Sequence, residues 1–142
     1  MAARDGGKEA AKRVKRRRGL RHGVRVEREL AHKLEKLGFF VVRAAGSGHM
    51  SSPDILAFKL GKQLAFEVKS YSGEELRFSR EQLERLEAWE KHTGIAAYVA
   101  WKLPREGFLF LPPKYLKKTA KTVVIKRDEA KLLSFSEDEV LS

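Results

Sequence analysis

Two apolar runs separated by a short break constrain the fold most strongly. Ile55 to Leu60 and Leu64 to Val68 each have the length of a strand, and Gly61-Lys62 lies between them. Short apolar runs joined by a two-residue break that contains glycine are typical of a β-hairpin. The sequence therefore predicts two neighbouring antiparallel strands in this part of the chain.

Polar residues flank this hairpin at one end. Side chains two residues apart on a strand share a face, so Glu67 and Lys69 point the same way while Val68 points into the core. If Gly61-Lys62 is a two-residue turn, position 54 lies opposite position 69, and position 56 opposite position 67. Asp54, Glu67 and Lys69 are then expected on one face, and a turn longer by one residue would break this geometry.

This trio has two interpretations. Two carboxylates on one face repel unless a cation offsets them, and Mg²⁺ does so through oxygen ligands and waters. Such a cation can activate a water and neutralise charge on a phosphodiester, while a lysine stabilises the transition state, which is nuclease chemistry. The alternative is a solvated Glu67–Lys69 ion pair on an edge strand, with Asp54 as a turn residue.

The rest of the chain alternates helical and strand-like segments. Leu30, Leu34 and Leu37 recur at helical spacing before Gly38, which predicts a helix over residues 27–37. Ser79 is placed to cap a helix over residues 80–92, with Gln82 at the capping-box position. Further strands are predicted at 39–42, 95–101 and 108–111, with a strand-like stretch at 123–125 and a loop at 44–53.

Positive charge is concentrated at the start of the chain. The 142 residues carry a net charge of +11, and residues 1–25 contribute ten Lys/Arg against Asp5 and Glu9. We expect residues 1–22 to be a mostly disordered basic arm, followed by a nuclease domain at 23–142. Ten cations in such a segment would attract DNA phosphates without reading bases, although a solvated tail is the alternative.

The composition excludes several classes of protein. There is no cysteine, which rules out disulfides, thiolate zinc sites and thiol nucleophiles. No apolar stretch approaches the roughly twenty residues of a membrane span, and the basic start does not match a signal peptide. We therefore expect an intracellular, cytoplasmic protein associated with the nucleoid, without a membrane partner.

The residues around this trio resemble those of a known family. Pro53-Asp54, a hairpin and Glu67-Val68-Lys69 are similar to the signature of the restriction-endonuclease-like, PD-(D/E)xK nuclease superfamily. The similarity to archaeal Holliday junction resolvases of the Hjc family is continuous from about Gly23 to Trp101. It includes Val26-Glu27-Arg28-Glu29-Leu30, Gly38-Phe39-Phe40-Val41-Val42-Arg43-Ala44, Gly46-Ser47-Gly48 and Arg80-Glu81-Gln82.

The resemblance implies a role for each matching residue. It implies that Asp54, Glu67 and Glu27 bind Mg²⁺, with Mn²⁺ as a substitute, and that Lys69, Glu27 and Ser47 are catalytic. It also implies that Arg28, Arg43 and Arg80 contact DNA. To these we add three arginines of the basic arm, Arg16, Arg17 and Arg18. Gln82 is either a structural helix cap or a polar neighbour of the active site.

The resemblance also implies a fold and a function. The expected fold is α/β, a single domain with a restriction-endonuclease-like mixed, mostly antiparallel central sheet flanked by helices. The expected function is that of a homodimeric endonuclease that resolves four-way DNA junctions by paired nicks in recombination and repair. Alternatives are a related nuclease acting on flap or duplex DNA, and a non-catalytic architectural DNA-binding protein. Ala88 and His92 stand where some relatives carry Phe, and partner proteins are not identifiable.

Overall fold

The computed structural model describes residues 3–44 and 52–142. Its elements run in the order helix, four strands, helix, three strands and two short helices. A short 3-10 helix at Pro113–Tyr115 separates the last two strands. The elements are α1 Ala3–Lys36, β1 Phe40–Arg43, β2 Ile55–Lys59, β3 Lys62–Ser70, β4 Glu75–Ser79, α2 Arg80–Thr93, β5 Ala96–Leu103, β6 Gly107–Leu111, β7 Thr122–Lys126, α3 Arg127–Leu133 and α4 Glu137–Leu141.

The central sheet has five strands in the order β1-β2-β3-β5-β6. Only the β3–β5 pair is parallel, and the other three pairs are antiparallel. The crossover between the two parallel strands contains α2, as parallel neighbours require. The predicted mixed, mostly antiparallel sheet with flanking helices is confirmed, and β3, which carries Glu67 and Lys69, is its middle strand.

The hairpin forms at the predicted place, with a different turn. Lys59 pairs with Lys62, so the turn residues are Leu60 and Gly61, both with positive φ (48° and 83°), as in a type I′ turn. The predicted register was therefore wrong by two residues: Leu56 faces Ala65 rather than position 67, and Asp54 comes opposite Glu67. A shift of two preserves the side of the sheet, so the predicted shared face is retained.

The two faces of the sheet pack against different helices. Leu30 and Leu34 of α1 are fully buried against a cluster that includes Ile55 and Phe66. Leu83 and Leu86 of α2 belong to the second cluster, which includes the fully buried Trp101. Burial of these apolar side chains is the main source of stability, and it fixes the central strands from both sides.

A second, two-stranded sheet was missed in the sequence. Strand β4 pairs antiparallel with β7, the strand predicted at 123–125. Leu76 and Phe78 are buried while Arg77 is exposed, which is the alternation of a half-buried strand, over only five residues. The acidic stretch in the tail lies in α4, where Glu137 Oε1 accepts a 2.6 Å bond from Lys33 Nζ. The tail is thereby held against α1.

Helix α1 begins at Ala3, far before the predicted start. Residues 3–22, which we predicted to be mostly disordered, are helical in the structure. Ala, Lys and Arg are strong helix formers, and no proline interrupts the segment. Once the packed part of α1 provides a nucleus, each added residue extends an existing helix rather than starting a new one. None of the helices in residues 3–44 and 52–142 combines the length and apolar character needed to cross a membrane.

Candidate active site

Asp54 and Glu67 meet at the end of the hairpin. Asp54 Oδ2 accepts a 2.8 Å hydrogen bond from the backbone N–H of Val68, which fixes the Asp54 carboxyl group beside strand β3. The Asp54 carboxyl group is also near enough to the Glu67 carboxyl group to raise its pKa. The predicted convergence of Asp54 and Glu67 on one face is therefore confirmed.

The electrostatics of this pair are unfavourable without added positive charge. Burial raises the pKa of Glu67 to about 8, and the charge of Asp54 acts in the same direction. Lys69 and Arg85 lower the pKa, but their effect is smaller than that of burial. The pair thus favours holding a proton or binding a cation.

Lys69 completes the predicted trio, and it contacts Gln82, which the sequence predicted as either a helix cap or a neighbour of the active site. Its Nζ lies 3.9 Å from Glu67 Oε1 and donates a 2.9 Å hydrogen bond to Gln82 Oε1. The Lys69 ammonium also lies 5.3 Å from the centre of the Phe78 ring. The backbone N–H of Gln82 is capped by Ser79 Oγ, so Gln82 acts in the cap through its backbone while its side chain reaches the site.

Glu27 lies on α1 near the same end of the sheet. Its Oε2 is 3.3 Å from Arg43 Nη2 at the end of β1. Burial and the charge of Asp54 raise the pKa of Glu27, whereas the hydrogen bond and charge of Arg43 lower it. The structure therefore brings Glu27 and Arg43 together, within electrostatic reach of Asp54.

In the part of the chain that the structure describes, the other predicted site residues make no hydrogen bond or ion pair with Asp54, Glu67 or Lys69. Arg28 is exposed on α1, and Arg80 is engaged by Glu84 Oε1 at 2.6 Å within α2. Arg16, Arg17 and Arg18 belong to helix α1. Ser47 lies outside the described residues, so its predicted role stays a prediction.

The donor set fits a hard divalent cation. Across residues 3–44 and 52–142, no three His, Asp or Glu side chains are gathered closely enough to enclose a metal ion. Asp54 and Glu67 nevertheless place two carboxyl groups near each other, and carboxylate oxygens are the ligands that Mg²⁺ prefers. Their mutual repulsion, with Lys69 3.9 Å from Glu67, leaves a need for positive charge that such an ion would meet.

Comparison with known proteins identifies relatives over most of the chain. Residues 18–138 match the family described as archaeal Holliday junction resolvase (Hjc). The chain is 40% identical to the crossover junction endodeoxyribonuclease Hjc of Archaeoglobus fulgidus, over 72% of this chain and 77% of that protein. It is 36% identical to the protein of the same name from Methanocaldococcus jannaschii, over 82% and 86% of the two chains.

A solved structure matches the fold as well as the sequence. The Holliday junction resolvase Hjc from A. fulgidus superposes with a TM-score of 0.75 at 36% identity, covering 84% of this chain and 95% of that one. The family match over residues 18–138 includes Asp54, Glu67 and Lys69. On these grounds, the chain belongs to the archaeal Holliday junction resolvase (Hjc) family.

Proposed function

We propose that this protein is an endonuclease that resolves four-way DNA junctions by phosphodiester hydrolysis in recombination and repair. The observation that carries the proposal is the placement of the Asp54 and Glu67 carboxyl groups near each other, beside the Lys69 ammonium group. Membership of the Hjc family supports the choice of a branched substrate over flap or linear duplex DNA. The place of action is then the nucleoid, where chromosomal junctions form.

Membership of this nuclease family implies a divalent metal ion, and we propose Mg²⁺, with Mn²⁺ as a substitute. Asp54 and Glu67 would hold the ion, with Glu27 as a further acid. When bound, Mg²⁺ lowers the pKa of a coordinated water and neutralises charge on a phosphodiester. The raised pKa of Glu67 means that the ion must compete with a proton, so affinity for metal should rise with pH.

Lys69 is the proposed catalytic cation. The hydrogen bond to Gln82 Oε1 restrains its ammonium group, which remains able to donate to a phosphate oxygen or a water. Cations aimed at the charge that develops on a phosphate stabilise the transition state most when they are fixed beforehand. Gln82 is therefore proposed as a positioning residue for Lys69.

The DNA would be held by residues outside this trio. Arg43 pairs with Glu27 and would also contact DNA near the scissile phosphate, with Arg28 and Arg80 on the adjoining helices. Ser47 is proposed as a further catalytic residue. The basic arm, residues 1–22, with Arg16, Arg17 and Arg18, would contact phosphates without base readout, and residues 23–142 would form the nuclease domain.

We further propose that the active form is a homodimer. One such site cuts one strand, so two symmetric nicks across a junction need two sites. A twofold dimer supplies them and matches the pseudo-twofold symmetry of a four-way junction.

The proposed chemistry is tested with isosteric variants of the two carboxylates. Asp54→Asn and Glu67→Gln should each lower the rate of four-way junction cleavage in Mg²⁺ by at least about 100-fold. Junction affinity in metal-free buffer should stay within a few-fold of wild type, because neither variant removes a basic DNA contact. Cleavage is followed on synthetic junctions, with flap and linear duplex DNA of the same sequences as comparison substrates.

Glu35→Gln is the matched control, because Glu35 is an exposed carboxylate on α1 that makes no contact with Asp54 or Glu67. It should cleave like wild type. Full activity of Asp54→Asn would overturn the proposed chemistry, and faster cleavage of flap or duplex DNA than of junctions would overturn the proposed substrate.

A further inference from the structure

Tyr71 is an exposed aromatic residue directly after the strand that carries Lys69. Its side chain is 53% exposed, although an aromatic ring of this size gains free energy when it leaves water. Tyr71 and Lys69 line the same cavity, which has a volume of about 500 Å³. The ring is therefore presented beside the proposed catalytic lysine, and neither the metal site nor the core accounts for it.

The backbone that carries this ring is held in place by hydrogen bonds from two side chains, those of Trp101 and Arg127. The indole N–H of the fully buried Trp101 donates to the Tyr71 carbonyl at 2.9 Å. The Arg127 guanidinium donates to the carbonyls of Ser72 at 2.5 Å and Gly73 at 2.8 Å. An exposed ring on an anchored segment loses little conformational entropy when a ligand packs against it.

Gly73 sets the position of the ring. A Cβ atom added at Gly73 would lie 2.5 Å from Tyr71 Cε1 and 2.9 Å from its hydroxyl oxygen, closer than any real contact allows. The ring therefore lies against the Gly73 backbone, in space that any other residue would fill. Because the clash involves the far end of a side chain, a larger residue would displace the ring rather than unfold the protein.

The walls of the cavity match the parts of a nucleotide. Lys69 and Arg77 supply positive charge, and Tyr71 supplies an aromatic surface, with Ser70, Glu75 and Leu76 completing the lining. Aromatic rings stack on nucleobases of any sequence, and cations attract the adjoining phosphates. The volume is within the range of pockets that hold ligands of this size.

Tyr71 also lines a second cavity, of about 420 Å³, which reaches α1. That cavity includes Arg25, Lys102 and the hydroxyl-bearing Ser70 and Ser72. The ring thus lies between a cavity bordered by the end of the basic segment and a cavity bordered by Lys69. A DNA strand that contacts both α1 and Lys69 would pass the face of Tyr71.

We propose that Tyr71 is a nucleobase-stacking residue, which holds an unstacked base of the junction strand next to the phosphate that is cut. This inference rests on the proposed function for the identity of the DNA. Bases at the branch point of a junction have lost a stacking neighbour, so they are the ones available to a protein ring. Tyr71 would therefore select both the branched substrate and the position of the cut relative to the branch.

The test uses full-length protein in metal-free buffer with chelator, so that binding is measured without cleavage. The fluorescent base 2-aminopurine is placed at each position within about three nucleotides of the branch point, in junction, flap and single-stranded DNA. Tyr71→Ala should weaken junction binding about tenfold and remove the quenching that wild type causes at one of these positions. Tyr71→Phe should retain both affinity and quenching.

Two further variants separate stacking from a general loss of stability. Gly73→Ala keeps the tyrosine but displaces its ring, so it should lose most of the quenching while its thermal unfolding stays close to wild type. Tyr115→Ala removes another exposed tyrosine, one that lines neither cavity, and should change nothing.

Unchanged affinity and quenching in Tyr71→Ala would overturn the proposal. Equal losses in Tyr71→Phe and Tyr71→Ala would also overturn it, since they would assign the contact to the hydroxyl group. The proposed function fails separately, if wild type with Mg²⁺ does not cut four-way junctions. In that case stacking is judged on the flap or single-stranded DNA that wild type binds.

Discussion

The ammonium group of Lys69 lies 2.9 Å from Gln82 Oε1, whereas its distance to Glu67 Oε1 is 3.9 Å. The closer partner of the lysine is thus a neutral amide on a helix, and the acid two residues away on the same strand is the more distant one. An amide acceptor restrains the ammonium group without neutralising it. The lysine therefore keeps its full charge for a phosphate.

Gln82→Ala should slow junction cleavage about 10- to 100-fold at saturating DNA, because Lys69 would lose its restraint. The cap should survive, since Ser79 Oγ accepts from the backbone N–H of Gln82. Gln82→Glu, which keeps an acceptor, should restore part of the rate. Gln63→Ala is the control, because Gln63 is exposed on the hairpin. A wild-type rate in Gln82→Ala would show that Lys69 needs no such partner.

Stability of the metal-free protein should depend on the ionisation of Glu67. Its folded-state pKa is about 8 against an ordinary value of 4.5, so the folded state holds the proton more tightly than the unfolded state. Glu67 therefore does not lower the free energy of unfolding below pH 4.5, where it is protonated in both states. The free energy of unfolding decreases progressively as the pH rises from 4.5 to 8.

Glu67→Gln, which mimics the protonated acid, should thus match wild type near pH 4.5 and exceed it by an amount on the order of 4 kcal/mol at pH 8. Denaturant unfolding at several pH values, with chelator present, measures the difference. Added Mg²⁺ at pH 8 should stabilise wild type more than Glu67→Gln. A stability difference that does not change with pH would contradict the assigned ionisation.

Removal of residues 1–22 should weaken junction binding and flatten its salt dependence. Nine of the ten Lys/Arg at the start of the chain lie in this segment, and each phosphate contact contributes about 0.9 to the slope of log affinity against log salt. Replacing Arg16, Arg17 and Arg18 by Gln keeps the helix and should lower the slope by up to about 2.7. Slopes equal to wild type in both variants would exclude the segment from DNA binding.

The proposed dimer predicts both a mass and a pattern of cuts. Light scattering should give about twice 16.2 kDa. Dimers mixed from wild-type and Asp54→Asn subunits should nick one strand of a junction and leave the opposite strand intact. Paired nicks from such mixed dimers, or a monomer mass under cleavage conditions, would contradict two sites related by symmetry.

The hairpin and its polar end could be predicted because they rest on local alternation, and alternation fixes the side of a sheet. The register of the hairpin could not be predicted. Leu60 resembles a strand residue, but it occupies a turn position with positive φ, a conformation that residues with apolar side chains rarely adopt. Strand β4 was missed because its five residues gain a partner only from β7, far along the chain.

The site was predictable to a similar degree. Asp54, Glu67 and Lys69 follow from spacing on one hairpin, and Glu27 only from resemblance. The role of the Gln82 side chain could not be decided, because a glutamine at this position suits both a helix cap and a contact with Lys69. Tyr71 gave no signal in the sequence, since its exposure depends on anchors at Trp101 and Arg127.

One continuous helix joins the basic segment to Glu27. At about 1.5 Å per residue, the helix axis from Ala3 to Glu27 measures about 36 Å, nearly twice the diameter of a DNA duplex. Cations carried on such a rod would meet one arm of a branched substrate while the hairpin faces another. The length and direction of the helix would then favour DNA arms that meet at a particular angle. A straight duplex would contact either the basic helix or the hairpin, but not both.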